Sequence, residues 1–532
     1  MPRFNRPLLR ALSVFVLSSG MAAVAAPAGA QQSGEVILDA RCSSCHDRLA
    51  DGRISRIGEI RKTPEGWDMN IARMIIMHGV EITSEERGAL VKHLSDTQGL
   101  APSETRDWRY ILERRSGVFE DIPDEDLGVM CARCHSYART ALQRRDEAEW
   151  VKHAHFHQGQ WPTTEYQALG RDRNWWELAS TQVPKRLGEL YPLQSEAWDN
   201  WKARAAPDLS GSWRVIGNRP GKGAFQGVAV LAGKGNDAYG VKMFLFYADG
   251  SKANGEGEAI LYTGYEWRAS VTLDGEDTLQ VMAVSAGGGE MSGRWFLEDP
   301  DSIGGDIVLA RAGKGAAARI MAVFPPHIRI GETATLTLHG VGLGGDIDLG
   351  SDVSVDRIVS RSSDIIVVEA TASGSPGART VVAGAAQGPD ALMVYDKVDS
   401  IRVEPAYTIA RVGGGAIAPV PAQFEAVAFM DGPDGVPGND DDVRIGVMPA
   451  QWTVGNHGDF AAALDDAKFA GAITQTGLFE PAVAGPNPAR PFSTNNAGDL
   501  AITASVDVGG QSLQGTAQLI VTVQRWNDPP IR

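Results

Sequence analysis

The sequence predicts a multidomain chain: an α-helical unit at the N-terminus, then three all-β units, the first barrel-like and the other two sandwiches. Three observations predict this. The chain has 532 residues, enough for three or four domains at about 150 residues each. Nine of the 13 Trp fall between 67 and 213, and seven of the ten His between 46 and 157, all within or beside a stretch of helical patterning. After Pro207 the pattern changes to short alternating strands between turns, and the 61 Gly supply those turns. The shifts place boundaries at 1–30, 31–206, 207–317, 318–400 and 401–532.

The first thirty residues read as an export signal rather than part of the fold. Arg3, Arg6 and Arg10 precede an apolar run from Ala11 to Ala26, and Ala28-Gly29-Ala30 is a small-residue cleavage site. The run is shorter than the ~20 residues of a membrane span. Lys and Arg total 50 against 66 Asp and Glu, a formal charge of −16 that becomes −19 when the three leader arginines are lost. An acidic surface repels phosphate, which argues against nucleic acid or an anionic membrane as partner. The expected location is the periplasm.

Exported proteins ordinarily pair their cysteines, but these four form Cys42-Ser43-Ser44-Cys45-His46 and Cys131-Ala132-Arg133-Cys134-His135. C-x-x-C-H is the attachment signal of c-type haem. The two thiols of one helical turn reach the two vinyl groups of a porphyrin, and the adjacent imidazole meets the iron. Every cysteine is used, so the expectation is two covalently bound haem c groups, attached at Cys42, Cys45, Cys131 and Cys134 with His46 and His135 as proximal ligands. An electron-transfer haem takes a second axial ligand, commonly Met or His. Trp67 follows His46 by 21 residues and Trp150 follows His135 by 15. Laying Trp67 on Trp150 sets Met74 opposite His157, each two helical turns on and so on one face with its Trp. Met74 and His157 are therefore the expected distal ligands, with Met77, His78 and His155 as the alternatives. Met is also a common core filler, and His93 reads as the exposed face of its helix. Thioether ligation raises potential relative to two imidazoles, so unequal ligands would separate the two haems in potential.

Helices are expected at Glu35–Leu49, Thr63–His78, Ser84–Asp96, Glu104–Arg115, Asp124–Tyr137 and Arg145–His157. Ser84-x-x-Arg87 lacks a full capping box, leaving Thr83 or Ser84 to cap its helix. The large aromatics suit a small helical domain that shields porphyrin from water. Beyond Pro207, Gly211-Ser212-Trp213 opens an up-and-down barrel pattern through Val228–Val230, Val241–Tyr247, Ala259–Tyr262 and Leu279–Val284, with the interior expected to be filled by side chains. After a hinge at Arg311–Ala318, Ile320–Phe324, Thr335–Leu338, Ile365–Val368 and Thr380–Val382 read as an immunoglobulin-like unit. Ala422–Phe429, Leu500–Val506 and Leu519–Val523 belong to a second sandwich. The acidic loop 431–442 reads as a solvated turn, with calcium as a weaker alternative because the EF-hand spacing is missing. His327, His339 and His457 are isolated and read as surface or turn residues. No nucleophile elbow, Walker loop, dinucleotide fingerprint or H-E-x-x-H occurs, so the chemistry of this chain is electron transfer by iron.

The whole arrangement resembles the large alpha subunit of the quinohaemoprotein amine dehydrogenases. The segments that carry the likeness are Cys42–His46, Thr63-Pro64-Glu65-Gly66-Trp67 with Met74, Cys131–His135, Gln160-Trp161-Pro162, Arg171-Asp172-Arg173-Asn174-Trp175 and Tyr262-Thr263-Gly264-Tyr265-Glu266-Trp267-Arg268. The resemblance implies a beta subunit, a propeller, and a small gamma subunit holding a tryptophan-derived quinone where primary amines become aldehydes and ammonia. It implies that this chain takes electrons from the quinone and delivers them to a small periplasmic copper protein or cytochrome c. Two other classes fit less of the sequence. A free-standing dihaem carrier or dihaem peroxidase leaves over 300 β residues without a role. A β-domain binding or scaffold protein leaves the haem motifs accessory.

Overall fold

A computed structural model describes residues 33–115, 118–162, 172–414, 418–432 and 434–523. The export signal, its cleavage site, Arg171 and Pro433 lie outside these residues. The N-terminal unit is helical: α1 (Gly34–Cys42), α2 (Pro64–His78), α3 (Ser84–Thr97), α4 (Pro102–Thr105), α5 (Glu125–Cys131), α6 (Ala138–Ala141), α7 (Glu147–Gln160), α8 (Trp175–Leu190) and α9 (Glu196–Lys202). Two of the expected helices are shorter than their sequence pattern. The first stops at Cys42, where the haem motif turns, and the one expected from Asp124 stops at Cys131. The capping box absent from Ser84 is present one residue earlier. Thr83 Oγ1 accepts from Glu86 N at 3.2 Å, and Glu86 Oε2 accepts from Thr83 N at 3.0 Å. His93 is not simply exposed either: α1 crosses α3 over it, and a Cβ at Gly34 would stand 2.3 Å from the His93 Cβ.

Two three-residue strands, β1 (Ile60–Lys62) and β2 (Gln143–Arg145), join the two cysteine-bearing halves. They pair antiparallel with Arg61 opposite Arg144. Each strand leads at once into a capped helix. Thr63 caps α2 by accepting from Gly66 N, and Asp146 caps α7 by accepting from Glu149 N. The same interval separates Thr63 from Asp146, Arg61 from Arg144, Trp67 from Trp150 and Met74 from His157. The halves are thus related by a local pseudo-two-fold through the Arg61–Arg144 pair. Trp67 and Trp150 occupy equivalent buried positions, 2 % and 3 % exposed. The Trp alignment read from the sequence is a structural equivalence.

Glu104 stands on that axis and binds both arginines. Its carboxylate accepts from Arg61 Nη1 and Nη2, both at 2.9 Å, from Arg144 Nε at 3.1 Å, from Ser195 Oγ at 2.9 Å and from Ala101 N at 2.8 Å. All three charged side chains are buried, 5–8 % exposed.

Strands β3 (Gly211–Arg219), β4 (Gly223–Gly235), β5 (Ala238–Tyr247), β6 (Lys252–Tyr262), β7 (Glu266–Leu273), β8 (Glu276–Val284), β9 (Glu290–Leu297) and β10 (Gly304–Arg311) close into an eight-stranded up-and-down barrel. Its interior is packed solid by Trp213, Trp267, Trp295, Phe225, Tyr239 and Tyr247 among others. The β6–β7 hairpin, turned through Thr263 (φ 56°) and Gly264 (φ 72°), reaches into the helical unit. Thr263 N donates to Asp96 Oδ1 at 2.8 Å, Tyr265 Oη meets Thr105 Oγ1 at 2.9 Å, and Arg268 binds Glu65 in the first turn of α2 at 2.5 Å. On the β9 side, Arg294 donates to the carbonyls of Glu113, Arg114, Asp301 and Ser302.

The next unit packs two four-stranded sheets over one apolar core, and the last combines a four-stranded sheet with two of three strands. The strand expected over Ala422–Phe429 is interrupted at Phe424, whose N–H turns to Gly477 O at 2.9 Å. Its two pieces, Ala422–Gln423 and Glu425–Met430, pair in different sheets. His339 is a correction: it lies in the strand Thr333–Val341, 5 % exposed against Phe324, and burial pushes its imidazole down to about 4. In the acidic loop, Asp442 pairs with Arg402 and accepts from Gly438 N and Asn439 N, while Asp434 accepts from Asn439 Nδ2 and Val436 N. Among the described residues, no group of three or more His, Cys, Asp or Glu could hold a metal ion, and no helix is long and apolar enough to cross a membrane.

Burial alone would raise the Glu104 carboxyl, but the hydrogen bonds and charges of Arg61 and Arg144 outweigh it and hold it at about 2. A carboxyl lowered by folding stabilises above its unfolded value near 4.3 and loses that stabilisation as pH falls toward its folded one. Denaturant titrations are expected to lose about 3 kcal/mol between pH 5 and pH 2 from this group. Glu104→Gln, which leaves two buried guanidinium groups short of an anion, is expected to cost about 3–5 kcal/mol at neutral pH and to flatten that pH dependence.

Candidate haem centres

At the first centre, α1 ends on Cys42 and the motif turns back on itself, with Cys45 N and His46 N both donating to Cys42 O at 3.1 and 3.0 Å. That turn places Cys42, Cys45 and His46 in the wall of one cavity of about 410 Å³. Leu38, Ile57, Ile60, Trp67, Ile71, Ile82, Leu90 and Leu94 give the cavity an apolar body. Met74 and His78 both stand in its wall, whereas Met77 is 59 % exposed. The helix carrying Met74 is closed by Gly79 at φ 67°, and Val80 N returns to Met74 O at 3.2 Å. The Met74 backbone is thereby fixed at the final turn. Trp67 beneath it is anchored through Nε1 to Gln98 O at 3.1 Å.

At the second centre, α5 ends on Cys131 against a core of Leu127, Tyr137, Ala141, Trp150, Leu187 and Tyr191. The loop after His135 is gathered by one carboxylate: Glu120 accepts from Tyr137 N at 2.8 Å, Ala138 N at 3.0 Å, and the hydroxyls of Tyr110 and Ser136. Burial raises this carboxyl, yet those donors together hold it below its ordinary value. Inside the motif, Arg133 binds Asp172 through both guanidinium nitrogens at 2.9 and 2.7 Å. His157 comes off α7 facing His135, their ring centroids 6.3 Å apart. His155 turns instead to the edge of Trp176 at 4.8 Å.

These residues fit haem on three counts. Both motif histidines direct Nδ1 at a carbonyl, His46 to Ser55 O and His135 to Ser136 O, each at 2.9 Å. A carbonyl only accepts, so Nδ1 carries the proton and Nε2 keeps a lone pair for a metal. Two imidazoles on opposite sides of one metal, each nitrogen about 2 Å from it, have centroids roughly 6 Å apart, the spacing of His135 and His157. Among the described residues, the four cysteines form no disulfide with one another. Burial pushes the Cys131 thiol up to about 12 and raises that of Cys42. The buried Trp150 Nε1 has no acceptor among the described residues, unlike its counterpart Trp67.

Several polar residues around the centres are not among the expected ligands. His153 stands in the wall of the first cavity and also meets His157 edge-on at 5.1 Å, which places one ring between the two centres. Burial, with Arg145 and Lys62 beside it, holds this imidazole well below its ordinary value and neutral. Lys62, Asn70, Arg73 and Arg139 complete the boundary between the halves. The signal that finds them is the Trp67–Trp150 register itself: applied beyond the ligands, it makes Lys62 the counterpart of Arg145 and Asn70 the counterpart of His153.

Four family models match the chain, all from the quinohemoprotein amine dehydrogenase alpha subunit: the haem-binding domain over residues 32–198, domain II over 206–312, domain III over 317–396 and domain IV over 401–531. No curated protein matches. Among solved structures, a redesigned beta barrel, mFAP1, bound to DFHBI is 17 % identical over 19 % of this chain and 94 % of its own, with a TM-score of 0.18. The mouse clustered PcdhgC3 EC1-3 is 12 % identical over 44 % of this chain and 77 % of its own, with a TM-score of 0.16. Scores this low carry no likeness of the whole chain. The four matches follow one another in order along nearly its full length, and the chain belongs to the family of quinohemoprotein amine dehydrogenase alpha subunits, part of an oxidoreductase complex, with its haem-binding domain at the N-terminus.

Proposed function

We propose that this chain is the electron-transfer subunit of a periplasmic amine dehydrogenase, exported with cleavage near Ala30. It carries two covalent haem c groups, attached at Cys42 and Cys45 and at Cys131 and Cys134. The first has His46 and Met74 as axial ligands, and the second has His135 and His157. The observation that carries the reading is the pairing, in each half of one pseudo-symmetric domain, of a C-x-x-C-H motif whose histidine is oriented through Nδ1 with a thioether or imidazole at the equivalent helix position. Bound haem supplies a one-electron Fe(III)/Fe(II) couple at each centre.

The residues of the chain do the rest. Ser55 O and Ser136 O hold the proximal imidazoles in one tautomer, Trp67 and Trp150 wall the distal helices, and His153 fills the gap between the centres. The amine-oxidising site lies on a partner: a gamma subunit with a tryptophan-derived quinone, assembled with a beta subunit. The external acceptor is a small copper protein or cytochrome c. On this reading the two C-terminal β units are immunoglobulin-like and serve assembly, and the loop 431–442 is a solvated turn rather than a calcium site.

Purification from the native periplasm, followed by anaerobic addition of a primary amine, is expected to reduce the haem bands, with two smaller chains co-purifying. A chain that comes alone, ignores amines and answers peroxide overturns the reading. For the ligands, Met74→His is expected to abolish the thioether-to-iron absorption band and lower one midpoint potential. His157→Met is expected to raise the other. The same bands and potentials in both variants as in the wild type would mean that other side chains ligate.

A further inference from the structure

Three cations at the boundary between the two haem centres have no carboxylate partner among the described residues. Lys62 is 8 % exposed. Its stem lies over Gly66, where a Cβ would stand 3.0 Å from the lysine Cβ, and its ammonium donates to Asn70 Oδ1 at 3.0 Å. Arg73 Nη1 shares that acceptor at 3.3 Å, and its guanidinium lies over the Phe156 ring at 4.6 Å. Arg139, on the rim, donates to Met69 Sδ at 3.7 Å. Among the described residues, no carboxylate forms an ion pair with any of the three, although Arg61, Arg144 and Arg145 nearby each have one. Burying an ammonium beside like charges is costly unless an anion joins it. Burial and the charges of Arg145, Arg73 and Arg139 accordingly push Lys62 well below its ordinary value. Asn70 and Arg73 both stand in the wall of the first cavity, so an anion carried by whatever fills that cavity would meet them.

We infer that Lys62, Asn70 and Arg73, with Arg139 at the rim, form a carboxylate seat that receives haem propionates between α2 and α7. The inference rests on the haem reading above and adds to it the polar end of the site. Haem at the first centre brings two carboxylates with its iron, and this is where the chain offers donors and charge for them. The seat completes the ion balance of the interior only once haem is in place. It also sets a positive charge beside the carboxylates, which favours the ferrous state.

The test uses the holoprotein in four forms: wild type, Lys62→Met, Arg73→Gln and Arg73→Lys. Covalent haem content is measured first, then the propionate bending band in the resonance Raman spectrum and both midpoint potentials. Lys62→Met and Arg73→Gln are expected to keep two haems, to shift the propionate band and to lower the potential of at least one centre. Arg73→Lys, which keeps the charge, is expected to return both readouts toward wild type. Two loaded haems with the band and potentials unmoved in Lys62→Met and Arg73→Gln overturn the seat and leave the haem reading standing. A wild-type chain without covalent haem overturns that reading, and the seat with it. If one variant does not accumulate, the other carries the same two readouts.

Discussion

The helical domain depends on one carboxylate. Glu104 meets Arg61 and Arg144 where the two halves cross, and those arginines are the central pair of the short β1–β2 ladder. Three residues per strand make a weak sheet, so the ladder survives because its side chains are clamped from one side. The constraint reaches both centres. Each strand runs directly into the cap of a helix, and each helix carries a buried Trp at the same step and a candidate ligand two turns later. Moving Glu104 would shift α2 against α7, and the spacing between the centres would shift with them.

Much of this was legible in the sequence because it is local. C-x-x-C-H encodes a turn, alternating strands after Pro207 encode a barrel, and the Trp register anticipates the pseudo-two-fold. The same register leads to residues that the fold brings to the centres: His157 faces His135 and His155 does not, while Met74 and His78 both line the first cavity and Met77 faces out.

What was missed is long-range. Lys62 and Arg73 carry no signal of their own in the sequence, because nothing in a sequence says which cations folding will leave without a carboxylate among the described residues. His339 looked like a turn residue because a single His in a strand pattern is silent about which face it takes. The capping box at Thr83 was overlooked by one residue, since two adjacent hydroxyl residues compete for one cap. Helix ends at Cys42 and Cys131 were overrun because apolar periodicity continues through a motif whose backbone bends to present its thiols.

The β6–β7 hairpin changes how the domain border should be regarded. Composition changes abruptly near Pro207, and the chain looks divisible there. Yet Thr263, Tyr265 and Arg268 of the barrel bind Asp96, Thr105 and Glu65 of the helical unit, and Trp201 Nε1 donates back to Thr263 O at 2.7 Å. The barrel interior is filled by its own large side chains, and its β6–β7 hairpin works as a splint for the first turn of α2. A border in sequence is here not a border in stability: melting the hairpin frees the helix that carries Met74, so the two units belong to one cooperative block.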